Sequence, residues 1–304
     1  TWLSTLFVDH KLFGFDPSIA LLFGSLVVVT GPTVIMPMLR TIRPNKNISN
    51  VLRWEGIVID PIGALLAVAV YEYLVASGGV TGVAHSLVAF FKIIAIGTVI
   101  GCGVGYLLGV IMRRRWLPEY LQAYGTVALV LAAFTVSNAI EHESGLLTVT
   151  LMGIVIANMR GVHIEEILSF KENLTVLLIS ALFILLAARV DIGAVFAMGW
   201  PALILLLVMQ FVIRPLSVFL CGIGTKLTWQ EKSLIAWIGP RGIVAAAVSG
   251  LFALKLEQQG ISGASDLVGL TFFIIVGTVL LQSATSRPLA NLLKVSEPSS
   301  RGAL

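Results

Sequence analysis

Three charged side chains stand deep inside apolar stretches: Glu55 and Asp60 in the run from about 48 to 76, and Arg241 in the run from about 233 to 254. A charge at membrane depth costs several kcal/mol, so its retention points to ion or proton handling. Asp60 lies about twelve residues into its run, ~18 Å along a helix, which is close to a bilayer midplane. A carboxylate there takes a proton or a hard monovalent cation, and not comfortably both. Lost hydration disfavours its charged form, while a bound cation favours it. If only the neutralised site crosses between inward- and outward-facing states, coupled exchange follows without a catalytic step. One carboxylate makes one cation for one proton the simplest stoichiometry, hence electroneutral exchange. Arg241 carries a fixed charge, so Glu55, rather than a transported ion, is its expected partner. Removing either would leave an uncompensated buried charge, at a cost of ~3–5 kcal/mol. Lys92 and Arg214 read as structural or interfacial, and charges at the ends of runs as snorkelling.

Two apolar runs also contain helix-breaking chemistry. One reads Val29-Thr30-Gly31-Pro32-Thr33 near its centre, the other Ile238-Gly239-Pro240-Arg241-Gly242. Proline removes an amide donor and clashes with the preceding turn, and glycine weakens the helix. Such backbone persists in a membrane only where it is buried or lines a cavity. Paired interruptions of this kind point to a transporter site built from inverted repeats. Pro61 frees the carbonyl of Ile57, and the breaks at Gly31 and Gly239 free others, which alkali cations accept as ligands.

The elements that must hold these groups are membrane helices. Of 304 residues, 57% are hydrophobic and 12% charged, against roughly 25% charged in soluble domains, and the mean hydropathy is +0.97. This excludes a soluble enzyme or a nucleic-acid binder despite the pI near 9.2. Nine long apolar runs are expected, at about 18–39, 48–76, 83–112, 119–138, 144–159, 173–188, 195–224, 233–254 and 266–286. The stretch from Gly161 to Glu172 reads as a short amphipathic helix at the interface.

Alternating loops place fourteen of the twenty basic residues on one side. These are Arg40, Arg43, Lys46, Arg53, Arg113, Arg114, Arg115, Arg160, Lys171, Lys226, Lys232, Arg287, Lys294 and Arg301. Only Lys11, Arg189 and Lys255 fall on the other. The positive-inside rule then sets the C-terminus in the cytoplasm, at the plasma (inner) membrane. Gly97, Gly101, Gly105 and Gly109 form a stripe of small residues that permits close helix approach. Cys102 and Cys221 lie in apolar runs and read as packing residues, and Glu141-His142-Glu143 as a solvated loop. No signal peptide is visible at Thr1.

The segment Trp54-Glu55-Gly56-Ile57-Val58-Ile59-Asp60-Pro61 resembles the Glu-Ser-x-x-Asn-Asp segment of monovalent cation/proton antiporters of the NhaP and NHE type. Thr30-Gly31-Pro32 resembles that family's Thr-Asp-Pro break, Gly239-Pro240-Arg241-Gly242 its Gly-x-Arg-Gly motif, and Ser144-Gly145-Leu146 its Ser-Gly-Leu helix start. The similarity runs from about Ser18 to Leu293. It implies an all-α membrane fold of inverted repeats with two crossed, discontinuous helices, broken at Gly31, Pro32, Gly239 and Pro240. About nine spans of thirteen would be present, with the leading ones missing.

The resemblance implies a transmembrane antiporter domain over 1–294 and a cytoplasmic linker over 295–304, of the kind that leads to a regulatory domain. It implies exchange of Na+ or K+ for H+ in a homodimer within the lipid bilayer, with no cofactor and no enzyme activity. Asp60 carries over as the ion- and proton-binding carboxylate that holds the monovalent cation. Thr30 and the Gly31 position carry over at its side, and Glu55 with Arg241 as the structural charge pair. The chain departs from the family at Gly31, Gly56 and Ile59, where Asp, Ser and Asn are expected. The competing readings are a potassium efflux channel-like system of the same broad fold and a non-transporting membrane subunit.

Overall fold

The computed structural model describes residues 1–13, 16–75, 79–161, 165–189, 193, 199–258 and 264–296. Within them the protein is all-helical. In chain order the helices are α1 (Trp2–Phe13), α2 (Pro17–Val27), α3 (Pro32–Ile42), α4 (Lys46–Val75), α5 (Gly79–Arg113), α6 (Glu119–Ile140), α7 (Ser144–Asn158) and α8 (Glu165–Arg189). They continue with α9 (Gly199–Val208), a π-turn (Met209–Ile213), α10 (Arg214–Cys221), α11 (Trp229–Trp237), α12 (Ile243–Gln258) and α13 (Ala264–Leu292). Among the described residues, Lys46–Val75, Gly82–Arg113, Tyr120–Ile140, Gly199–Cys221 and Asp266–Leu292 are long and apolar enough to cross a membrane.

The expected runs at 18–39 and 233–254 are not continuous helices. The first divides into α2 and α3 around Val28–Gly31, the second into α11 and α12 around Ile238–Gly242. Both divisions fall where glycine and proline stand together. Among the described residues no separate interfacial helix stands before residue 173: α8 runs unbroken from Glu165, because no Gly or Pro interrupts it before Arg189. Cys221 is exposed rather than packed, and Cys102 is partly buried. Of the expected linker 295–304, positions 297–304 lie outside the described residues.

The chain forms two compact units, Thr1–Ala67 with Val190–Leu304, and Val68–Arg189. In the first, Asp16 caps α2, its side chain accepting the Ser18 amide at 2.8 Å, with Pro17 in the first turn. α1 lies against α2 over Gly24, where a Cβ would stand 3.0 Å from the Trp2 carbonyl. α3 ends on Arg43 in the left-handed region at φ 50. α11 begins with a capping box between Thr228 and Glu231. Glu231 also accepts from Asn45 at 2.7 Å and Asn47 at 3.0 Å, while the Asn45 amide donates to Val295 at 3.0 Å. One buried carboxylate thus ties the α3–α4 corner to the start of α11, and that corner holds the segment leaving α13.

In the second unit the glycine stripe of α5 lies on α7. A Cβ on Gly101 would stand 2.6 Å from the Thr148 carbonyl, and one on Gly105 would stand 2.9 Å from the Met152 Cα. Met159 fills the space left by Gly109. Beside this seam Leu108, Met112, Ala133 and Met152 form a buried cluster. α7 starts at the expected Ser144, whose hydroxyl lies 2.7 Å from that of Ser137, and the Gly145 amide donates to Asn138 at 2.7 Å.

Two outcomes follow from this packing. Gly101→Ala should destabilise the protein by about 1–3 kcal/mol, because backbone faces the new methyl. Gly103→Ala, which meets nothing within 4 Å, should be tolerated; thermal unfolding in detergent separates the two. At Glu231, burial works to raise the carboxyl, but hydrogen bonds from the Thr228 amide, Asn47, Asn45 and the Thr228 hydroxyl outweigh it and hold the group below the ordinary glutamate range. Its stabilisation is therefore present above ~4.3, the unfolded value, and is lost as pH falls through the lower folded value. Glu231→Gln should lower the thermal midpoint at neutral pH and flatten its fall on acidification.

Candidate functional site

The two interrupted segments meet at their breaks. Thr30 and Arg241 form an isolated antiparallel bridge, and the Gly31 amide donates to the Pro240 carbonyl at 3.0 Å. Gly31 and Gly242 stand back to back: a Cβ on either would fall on the other's Cα. No residue with a side chain fits this approach, which is why glycine occupies both positions.

α4 brings its acids to this junction. A Cβ on Gly56 would stand 3.1 Å from the Pro32 Cβ, and one on Gly63 would meet the Val29 side chain. Asp60 follows Gly56 by four residues and precedes Gly63 by three, so it shares the helix face applied to the first break. Its Oδ1 is buried and accepts no hydrogen bond from any described group, and the same is true of the Thr33 hydroxyl. The Thr30 hydroxyl donates to Glu55 Oε1 at 3.4 Å.

Glu55 is paired with Arg214. The guanidinium takes the carboxylate in a fork, Nη1 to Oε1 and Nη2 to Oε2, the latter at 2.9 Å. The same Nη2 reaches the carbonyls of Ile238 at 2.9 Å and Ile235 at 3.3 Å, which close α11. This corrects the expected Glu55–Arg241 pair. Arg241 is buried and instead donates through Nη1 to the Val28 carbonyl at 3.1 Å, at the end of α2. The physical reason is reach: Arg214 approaches through the space at Gly239, where a Cβ would stand 2.7 Å from its Nε. Each arginine therefore satisfies carbonyls at the C-terminal end of one half-helix, where cations are favoured.

Amide side chains complete the junction. The Gly239 amide donates to Gln282 Oε1 at 3.0 Å, Gln282 donates to Gln210 at 2.7 Å, and Gln210 donates to the Trp237 carbonyl at 2.8 Å. The Arg241 amide donates to Thr278 at 3.3 Å. The sequence assigns no role to Thr33, Gln210, Thr278 and Gln282, and it reads Arg214 as structural or interfacial without naming Glu55 as its partner. A signal existed for Arg214: Pro215 follows it within an apolar run, and proline cannot donate to the preceding turn. The π-turn Met209–Ile213 widens the helix there, with the Arg214 amide reaching back five residues to Met209, and such turns recur at functional sites. Replacing Arg214 by Met should cost about 1–3 kcal/mol in thermal unfolding, since the half-buried Glu55 would lose its fork and the carbonyls of α11 their donor. Lys at 214 should recover only part, because an ammonium cannot make the fork and reach the α11 carbonyls together.

The family profile described as sodium/hydrogen exchanger, transmembrane, matches residues 1–292. A K(+)/H(+) antiporter NhaP2 of Shewanella oneidensis is 27% identical over 281 residues, covering 91% of this chain and 48% of the relative. A probable Na(+)/H(+) antiporter 2 of Methanocaldococcus jannaschii is 24% identical over 302 residues, covering 90% and 70%. The chain thus spans about half the length of the first relative and 70% of the second. The structure of the sodium proton antiporter MjNhaP1 from Methanocaldococcus jannaschii at pH 8 superposes with a TM-score of 0.74 at 22% identity, over 96% of this chain and 76% of that one. An electron-microscopy map of the same antiporter gives 0.78 at 23%, over 98% and 76%; at such identities the likeness speaks for the fold. With 292 residues matched from the first onward, the chain belongs to the transmembrane sodium/hydrogen exchanger family.

Proposed function

We propose that this chain is the transport-bearing part of a secondary antiporter that exchanges Na+ or K+ for H+ by alternating access, with Asp60 as the shared ion- and proton-binding group. The observation that carries this reading is the Asp60 carboxylate. Its buried Oδ1 has no donor, and it stands on the α4 face applied to the Val29–Pro32 break. A carboxylate so placed has lost hydration at Oδ1 without gaining a hydrogen bond there, and a proton or a monovalent cation restores neutrality. The Thr33 hydroxyl, likewise without a partner, and the lone pairs of Thr30 supply side-chain oxygen beside it. Gly31 contributes backbone, in keeping with the way alkali cations take carbonyl oxygen. Glu55 with Arg214, and Arg241 at the end of α2, serve as fixed charges that hold the junction.

On this reading α2–α3 and α11–α12 are the two crossed, discontinuous helices of an inverted-repeat fold, and the chain holds about nine of thirteen spans. Residues 1–294 form the membrane domain and 295–304 a cytoplasmic linker. The protein works as a homodimer in the plasma (inner) membrane with its C-terminus in the cytoplasm. What supports the orientation is the basic-residue bias of the loops. What supports the activity is family membership together with the antiport activities for which the relatives are named.

The decisive measurement is cation-driven proton movement in proteoliposomes of the full-length protein. Asp60→Asn should reduce exchange to the level of protein-free vesicles for both Na+ and K+, while the protein remains folded. Exchange at the native rate would remove Asp60 from the mechanism. With one carboxylate per cycle the native rate should not respond to an imposed membrane potential, and a response would exclude one-for-one exchange.

A further inference from the structure

A second carboxylate lies outside the junction of the two breaks. Asp9, on α1, is 0% exposed, and neither of its carboxyl oxygens accepts a hydrogen bond from any described group. Thr5, one turn earlier on the same face, is equally enclosed, and its hydroxyl is used on the Thr1 carbonyl at 3.0 Å. α1 packs on α2, on α9 and on the π-turn. Those elements read Pro17–Val27, Gly199–Val208 and Met209–Ile213, and they contain no titratable or charged side chain. Of their polar groups, Ser25 donates to the Leu22 carbonyl at 2.6 Å, and Gln210 is held between Gln282 and the Trp237 carbonyl. Arg214, next after the π-turn, is committed to Glu55. The neighbouring His10 and Lys11 are exposed on other faces of α1.

We propose that Asp9 is a second proton-binding site, which holds its proton while α1 is packed and releases it only when α1 parts from α2 and α9. An ionised carboxylate in this enclosure would lose its water without gaining a donor or a counter-charge. The neutral acid asks for far less, so protonation and packing stabilise one another. Release of the proton requires the enclosure to open, which links the docking of α1 to pH. Unlike Asp60, Asp9 has no unpartnered hydroxyl or helix break assigned beside it, so its ligand is a proton and not an alkali cation.

The test follows protonation directly, by infrared difference spectroscopy of the full-length protein during a pH titration. Asp60→Asn should keep a protonated-carboxyl C=O band that Asp9→Asn lacks. Amide hydrogen exchange across α1 should rise at the pH where that band vanishes, and at the same pH it should stay low in Asp9→Asn. Spectra of Asp9→Asn identical to those of the native protein would mean that Asp9 is ionised and hydrated, and would overturn the proposal. Equal α1 exchange in both proteins would overturn the link to packing. Asp9→Leu, an apolar replacement of similar volume, adds a readout free of spectroscopy. Its thermal midpoint should equal or exceed the native one, and a marked loss would show that the enclosure serves a charge. Failure of Asp60 in the exchange assay would leave all these readouts standing, since none depends on transport.

Discussion

Two helices interrupted within a membrane expose backbone groups that water cannot reach, and everything at the centre of this protein follows from how those groups are satisfied. The two breaks first satisfy each other. The Gly31 amide takes the Pro240 carbonyl, Thr30 bridges Arg241, and the bare Cα atoms of Gly31 and Gly242 allow the approach. What remains is taken by long side chains from outside the breaks. Gln282 accepts from Gly239, Thr278 accepts from Arg241, and the two guanidinium groups cover the carbonyls of Val28, Ile235 and Ile238. An unsatisfied group of this kind costs several kcal/mol in hydrocarbon. These residues are therefore conditions for the breaks to exist, and Asp60 is placed by structure that they maintain.

The same arrangement sets the charge of the junction. Arg214 and Arg241 each sit at the negative end of a half-helix, and only Arg214 is also matched by a carboxylate, Glu55. Asp60 is the other acid on the face of α4 applied to the first break. When Asp60 is ionised, two acids stand against two arginines; when a proton or cation is bound, the junction carries one positive charge more. The fork between Glu55 and Arg214 occupies both oxygens of Glu55, which leaves Asp60 as the acid open to a ligand on the proposed reading.

Much of this was legible in the sequence. Gly-Pro pairs inside apolar runs located both breaks, and the depth of Glu55, Asp60 and Arg241 named three of the four charges. The glycine stripe of α5 foretold a close seam, though not that α7 forms it. The pairing of Glu55 was not legible in those terms, because one-dimensional depth matches Glu55 with either arginine. The choice depends on a three-dimensional opening at Gly239 and on the widened turn before Arg214. Gln210, Thr278 and Gln282 escaped for a related reason. Uncharged polar residues are ordinary in membrane helices, and only the neighbouring broken backbone gives them a role. Asp9 was hidden because it lies before the first expected run, at about 18–39; its enclosure by α2 and α9 is a tertiary fact.

The departures from the family's motif acquire a physical meaning in this setting. At position 31 the motif that this segment resembles carries Asp, and here no side chain can stand, because Gly242 occupies the place of its Cβ. At position 56 it carries Ser, and here a Cβ would already crowd Pro32 at 3.1 Å. Both losses of side-chain oxygen therefore coincide with a closer approach of backbone to backbone. Nothing in the structure explains Ile59 in place of Asn. The oxygen left at the first break comes from Asp60, Thr30, Thr33 and the carbonyls that the breaks release. If Asp60 binds an ion as proposed, its coordination would shift from mobile side chains toward backbone whose spacing is set by the Gly31–Gly242 contact. On the proposed reading such a site would discriminate ions by the geometry of its breaks, so that substitutions widening the contact should alter selectivity before they alter the proton affinity of Asp60.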